Sequence, residues 1–384
     1  MSAPALAHSP ENGAYTKDSF YRPELDVLRF FAFFSVFVAH LGQAATLLIA
    51  PGINVKLRHA AAVVLESGAF GMCTFFLLSA YLITELLIRE RDSTGGIHVG
   101  AFYIRRILRI WPLYLGVVFA CYFVGLLLPH YALSGTWVAA FVFLAGNWYT
   151  AIAGYATNTV VALWSISLEE QFYLVWPSIA KFGGIRALAV CAGLTIPVGY
   201  GVVFYLCREG RPMHPTIWTN SFVQFSFFGI GALIALALHN RSFSIPTSLR
   251  LLLFGGGVTL WLIANHTFHV NGVFYQIRPR LVSCGFAVVA IGCTAIFFLL
   301  FGISRSLLPP QLIYLGKISY GLYVFHVPCR ELARWMVPGT GYLVHLFRPL
   351  IQMTLTILIA SLSYRYFEKP FLRLKARFEF IKTR

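Results

Sequence analysis

Windows of about twenty mainly apolar residues recur along the whole chain, each closed by a short polar stretch. They fall at about 27–49, 64–88, 110–128, 161–180, 187–206, 221–238, 251–265, 281–301, 318–335 and 349–366. Windows of this length cross a bilayer as helices, because a helix satisfies its own backbone hydrogen bonds where water cannot. The pattern predicts an all-α fold, a polytopic transmembrane bundle of about ten spans. A further apolar stretch, from Trp137 to Tyr149, is too short to span and is expected to be re-entrant or shallow. Residues 1–24 are polar and are expected to form a disordered tail, 25–368 the membrane domain, and 369–384 a basic tail. The first apolar window is long enough to span and has no small-residue cleavage site, so it does not read as a removed leader.

Basic residues orient the spans. With the amino terminus placed inside, the lysines and arginines of the connecting segments favour the inner side by about two to one. Both termini are therefore expected in the cytoplasm, and the protein in the cell inner (cytoplasmic) membrane as a multi-pass chain. Composition agrees: 58% of the 384 residues are hydrophobic, 11% are charged, and the mean hydropathy is +0.72. The formal charge of +16 suggests a nucleic-acid binder at first sight. The basic residues sit at span ends, however, and no soluble basic domain is available to hold a duplex, so no nucleic-acid partner is expected. The seven cysteines are scattered with no CxxC pair and read as small buried residues. His266 and His269 have helical spacing but no evident third ligand, so no metal is expected.

Against this apolar background the ionisable residues stand out, because a charge at mid-bilayer costs roughly 2.5–3.5 kcal/mol. The stretch LDVLRFFAFFSVFVAHLG, from Leu25 to Gly42, carries Asp26, Arg29 and His40. Arg29 and His40 differ by roughly 20° around a helix and by roughly 16 Å along it, so they face one way at two depths. That layout suits an anion gripped at a mouth and proton chemistry deeper in. His40 has the intrinsic pKa of a general base. Glu169 and Glu170 are adjacent acids within a span, and both cannot face lipid. One of them is expected to orient or charge-stabilise His40. Arg105, Arg106 and Arg109 sit at the inner end of the third span, where arginine matches phosphate oxygens; topology anchoring accounts for the same residues. The segment 129–160 has no Asp, Glu, Lys or Arg but holds Asn147, Trp148 and Tyr149. Uncharged aromatics and amides suit a neutral polyhydroxyl ligand, and an interfacial aromatic belt accounts for them equally. Tyr173 and His326 are the remaining candidate substrate contacts. Helix packing is the alternative reading for both histidines, and an internal ion pair for the two acids.

Five segments in fixed order carry a resemblance: LDVLRFFAFFSVFVAH; FFLLSAYLITELL at 75–87; FYIRRILRIWPLYL at 102–115; LWSISLEEQFYLVWP at 163–177; and the pair ISYGLYVFHVP at 318–328 with SYRYFEKPFLRLK at 363–375. Together they resemble the membrane-bound acyltransferase 3 family over roughly residues 25–375. The resemblance implies an O-acyltransferase moving an acyl group, usually acetyl from acetyl-CoA, onto a hydroxyl. Typical acceptors are exported or cell-envelope polysaccharides, and in some members small glycosides or lipids. The family's Arg–ten residues–His motif falls on Arg29 and His40, its basic motif on Arg105, Arg106 and Arg109, and its paired acids on Glu169 and Glu170. Ala80 departs from the glycine common in the family, which touches a helix contact and not the chemistry. The expected donor is acyl-CoA, the acceptor a carbohydrate, and the surroundings a lipid bilayer. A transporter is the competing class, since intramembrane Arg, Glu and His also mark transport paths.

Overall fold

The computed structural model describes residues 20–48, 54–241, 244–271, 278–339 and 341–381. Fourteen α-helices and no strand are found among them. The bundle opens with α1 (Pro23–Leu48), α2 (Val55–Ser67), α3 (Gly71–Thr94) and α4 (Val99–Leu127). Two short helices follow, α5 (Gly135–Val142) and α6 (Gly146–Ala153), then the long α7 (Trp164–Arg208). The second half contains α8 (Ser221–Leu238), α9 (Thr247–His266), α10 (Pro279–Leu300), α11 (Pro310–Lys317), α12 (Ser319–Met336), α13 (Tyr342–Leu362) and α14 (Lys369–Lys375).

Local chemistry sets the ends. Pro23 opens α1 with Glu24 and Asp26 in the first turn, where a missing N–H is harmless and acids complement the helix dipole. Gly95 closes α3 at φ 77°, a left-handed position that glycine adopts without a Cβ clash. In α7 the helix breaks at Gly184 (φ 69°, ψ −167°), between the segments expected at 161–180 and 187–206.

Seven stretches among the described residues are long and apolar enough to cross a membrane, and each coincides with one or two of the expected windows. The remaining two windows are α1, whose side chains are described only as far as Leu41, and α12, which carries Arg330, Glu331 and Arg334 near its end. The stretch at 137–149 is two short helices, α5 and α6, joined by a turn with Leu144 at φ 59°. Residues 1–19 of the expected amino-terminal tail and 382–384 of the carboxy-terminal one lie outside the described residues. The basic segment from Lys369 is not a free tail over 369–381. It forms α14, which packs on α4, and its continuation is held by a hydrogen bond from Arg105 Nη1 to the Phe378 carbonyl at 2.7 Å.

Close helix contacts rest on small residues, as expected where lipid tails compete with side-chain packing. Gly231 of α8 lies against α3 so tightly that a Cβ would sit 2.0 Å from the Leu77 carbonyl oxygen. Gly231→Val is expected to cost about 1–3 kcal/mol by overpacking and to lower the thermal midpoint of the detergent-solubilised protein. An unchanged midpoint would show that α3 and α8 do not hold each other in this way.

Candidate functional site

One end of the bundle contains a cavity of about 440 Å³. It is built by the start of α1, one face of α3 from Met72 to Glu90, the start of α4, the first turns of α7 and α12, and α14 with its continuation. Nine lysine and arginine side chains line it against five acids, so it suits a polyanion. All four arginines expected to hold phosphate, Arg29, Arg105, Arg106 and Arg109, are in its wall.

Their commitments differ. Arg29 pairs with the buried Asp26 at 2.7 Å, and Tyr21 donates to the other Asp26 oxygen at 3.1 Å. Arg105 spans Glu90 at 2.8 Å and the Phe378 carbonyl, tying α4 to α3 and to the segment after α14. Arg106 lies over the rings of Tyr173 (5.2 Å) and Phe102 (5.4 Å), with its buried Nε lacking a hydrogen-bond partner among the described residues. Arg109 faces Glu368 and Lys375 across the cavity.

Glu169 and Glu170 are separated by the rotation of α7. Glu169 faces the cavity and accepts hydrogen bonds from Ser79 of α3 and Tyr173 one turn on, while Ser79 and Tyr173 also bond each other. Arg106 sits above this knot. Glu170 points away into the α4 contact, where Oε2 accepts from Trp111 Nε1 at 2.8 Å and Oε1 is buried without a partner among the described residues.

His40 does not line this cavity, and neither does His326. One of the two acids was expected to orient or charge-stabilise His40, but α12 intervenes. Tyr323 forms part of the cavity wall, donating to the Ala162 carbonyl at 2.7 Å with its hydroxyl 2.7 Å from Ser165. Behind it the His326 ring lies 5.4 Å away, and 5.0 Å beyond that is the His40 ring. His326 is fully buried, so it is no direct contact for a ligand in this arrangement. His40 is exposed, and it faces Arg330.

The segment 129–160 lies apart from this cavity. Asn147 is fully buried: its amide donates to the Thr219 carbonyl at 3.0 Å and to Ser221 Oγ at 2.8 Å, and its oxygen accepts from Gln171 at 2.8 Å. Both amide protons are thus engaged within the protein, and Asn147 joins the segment to α7 and α8. Trp148 and Tyr149 are half-buried, the first edge-on to Phe222 and the second edge-on to Trp137. Neither reaches the cavity wall. Tyr155 bonds His214 Nδ1 at 2.9 Å, and burial holds the His214 imidazole below its usual value, opposed by its hydrogen bond with Asn271.

Sequence reasoning missed Ser79, Glu90, Tyr323 and Glu368. A signal existed for Ser79, the one serine in the run FFLLSAYL; its partner on another helix could not be read from spacing. Among the described residues no group of three or more His, Cys, Asp or Glu is placed to hold a metal.

A family description, acyltransferase domain, matches residues 22–364. The chain belongs to the acyltransferase 3 family. It is 26% identical over 384 residues to a Staphylococcus aureus (strain MSSA476) protein named "Putative O-acetyltransferase", covering 91% of this chain and 57% of that one. To the O-acetyltransferase OatA of S. aureus (strain NCTC 8325) it is 27% identical over 380 residues, with the same coverage. The chain thus spans little more than half the length of these relatives. No solved structure matches it. Family and fold together make this a multi-pass membrane protein of the acyltransferase 3 family.

Proposed function

We propose that this acyltransferase takes acetyl from acetyl-CoA held in the basic cavity and passes it to a hydroxyl of a carbohydrate that approaches His40 from the opposite side of the membrane. The observation that carries the reading is the cavity itself: nine cationic side chains gather around the Ser79–Glu169–Tyr173 knot. Coenzyme A brings several phosphate charges, which arginine meets in bidentate fashion. Its phosphates would stay at the mouth while the pantetheine arm carries the thioester inward along α3 and past Tyr323 to the His40 ring. His40 then acts as general base, taking the hydroxyl proton as the oxygen attacks the thioester carbon. The donor mouth opens on the cytoplasmic side, where the basic residues of the chain gather, with an exported or envelope polysaccharide as the acceptor class.

Arg106 and Arg109 test the donor site best. Arg29 and Arg105 also hold buried acids, so their loss confounds binding with folding. Arg106→Ala and Arg109→Ala are each expected to weaken acetyl-CoA binding about 10- to 100-fold, with the thermal midpoint measured alongside. Calorimetry on the purified protein checks this. Affinity equal to wild type in both variants would remove the donor from this cavity.

A further inference from the structure

His40 and His326 share one arrangement. His40 Nδ1 lies 2.8 Å from the Val36 carbonyl, and His326 Nδ1 meets the Tyr323 carbonyl in the same way. A carbonyl only accepts, so in each ring Nδ1 carries the proton and Nε2 is left as a bare acceptor. For His326 that Nε2 is buried and has no hydrogen-bond partner among the described residues. An unmet buried acceptor is costly to keep and calls for an explanation. The two rings are 5.0 Å apart with planes at 75°.

A catalytic histidine is commonly held by a carboxylate that stabilises its charged form. Here Glu169 is engaged with Ser79 and Tyr173, and Glu170 with Trp111. The group beside His40 is a second imidazole. Arg330, one turn beyond His326, faces both rings and is partly neutralised by Glu331 at 3.1 Å. Tyr323, on the other side of His326, is the wall of the donor cavity. His326 therefore adjoins both the His40 ring and Tyr323 of the cavity wall.

We propose that His326 is the proton partner of His40. The acceptor hydroxyl gives its proton to His40 Nε2 as its oxygen bonds to the thioester carbon. The bare Nε2 of His326 accepts a hydrogen bond from the charged His40 ring, and His40 returns the proton to the sulfur as the C–S bond breaks. Ester and free thiol are the products, with no proton left over. Arg330 opposes a lasting positive charge here, which suits a proton that passes through. His326 acts through His40 and is a positioning residue. The proposal rests on the reading of His40 as the base.

The test uses the full-length purified protein, with acetyl-CoA as donor and chitotriose as probe acceptor. Thiol release and acetyl transfer are followed, and donor affinity is measured separately. His326→Phe keeps a ring in the space and removes the lone pair. It is expected to lower kcat about 100-fold with donor KM and affinity unchanged. His326→Gln retains an acceptor that cannot take a proton and is expected to recover roughly tenfold of that loss. Should the Phe variant fail to fold, the Gln variant decides alone, with kcat about tenfold below wild type expected. Wild-type kcat in either variant overturns the pairing and leaves the acyltransferase reading intact, and so does a loss confined to donor affinity. Turnover that survives His40→Ala, or a wild type that binds donor without turnover, overturns the parent reading and the pairing with it.

Discussion

His40→Ala is expected to lower acetyl transfer by about 10²–10⁴-fold, the range a positioned general base contributes. The protein should still fold and bind acetyl-CoA. His40 is exposed, its one described hydrogen bond runs to a carbonyl of its own helix, and the basic cavity lies on the far side of Tyr323. Thiol release in the presence of an acceptor measures the loss, and calorimetry with acetyl-CoA measures what is kept. Near-normal turnover would leave the exposed histidine without a catalytic role. A loss of donor binding equal to the loss of rate would mean that His40 supports the cavity and does not act on the acceptor.

The second large effect separates two neighbouring acids. Glu169→Gln removes a charge from the cavity wall and keeps an oxygen that can still accept from Ser79 and Tyr173. Turnover is expected to fall about 10²-fold, because Arg106 above Tyr173 is left without that negative charge where the thioester would lie. Glu170→Gln preserves the Trp111 hydrogen bond and touches no cavity, so turnover should stay within about threefold of wild type. Parallel steady-state assays of the two variants decide. Equal losses would mean that both acids serve one structural cluster, and a larger loss at Glu170 would reverse the assignment.

Much of the fold was legible because the bilayer acts as a severe solvent. Long apolar windows, basic residues at their ends and the break near Gly184 follow from the cost of exposing polar groups to lipid. The arginines of the cavity were legible for the same reason, since each is a charge inside or beside a span. Relations between helices were not. Spacing along α1 places Arg29 and His40 on one face, but it cannot show that α12 stands between His40 and the donor cavity. Adjacent acids were read as a pair, whereas consecutive helical residues point about 100° apart. Asn147 looked like a ligand contact because an amide in an uncharged segment has the same composition whether it meets a sugar or Gln171. The segment after Lys369 looked like a tail because its partners, Glu90 through Arg105 and the α4 surface, lie far away in sequence.

The junction at Asn147 has a consequence for α7 as a whole. Gln171 gives one amide proton to the Leu144 carbonyl and the other to Asn147, and its oxygen accepts from Ser221 of α8. Those bonds clamp the azimuth of α7 two residues from Glu169. A helix sliding among apolar neighbours meets few barriers to rotation, and a turn of about 100° would exchange Glu169 for Glu170 at the cavity wall. The clamp acts as a key in a shaft: it transmits no chemistry, yet it decides which of two identical side chains faces the basic cavity.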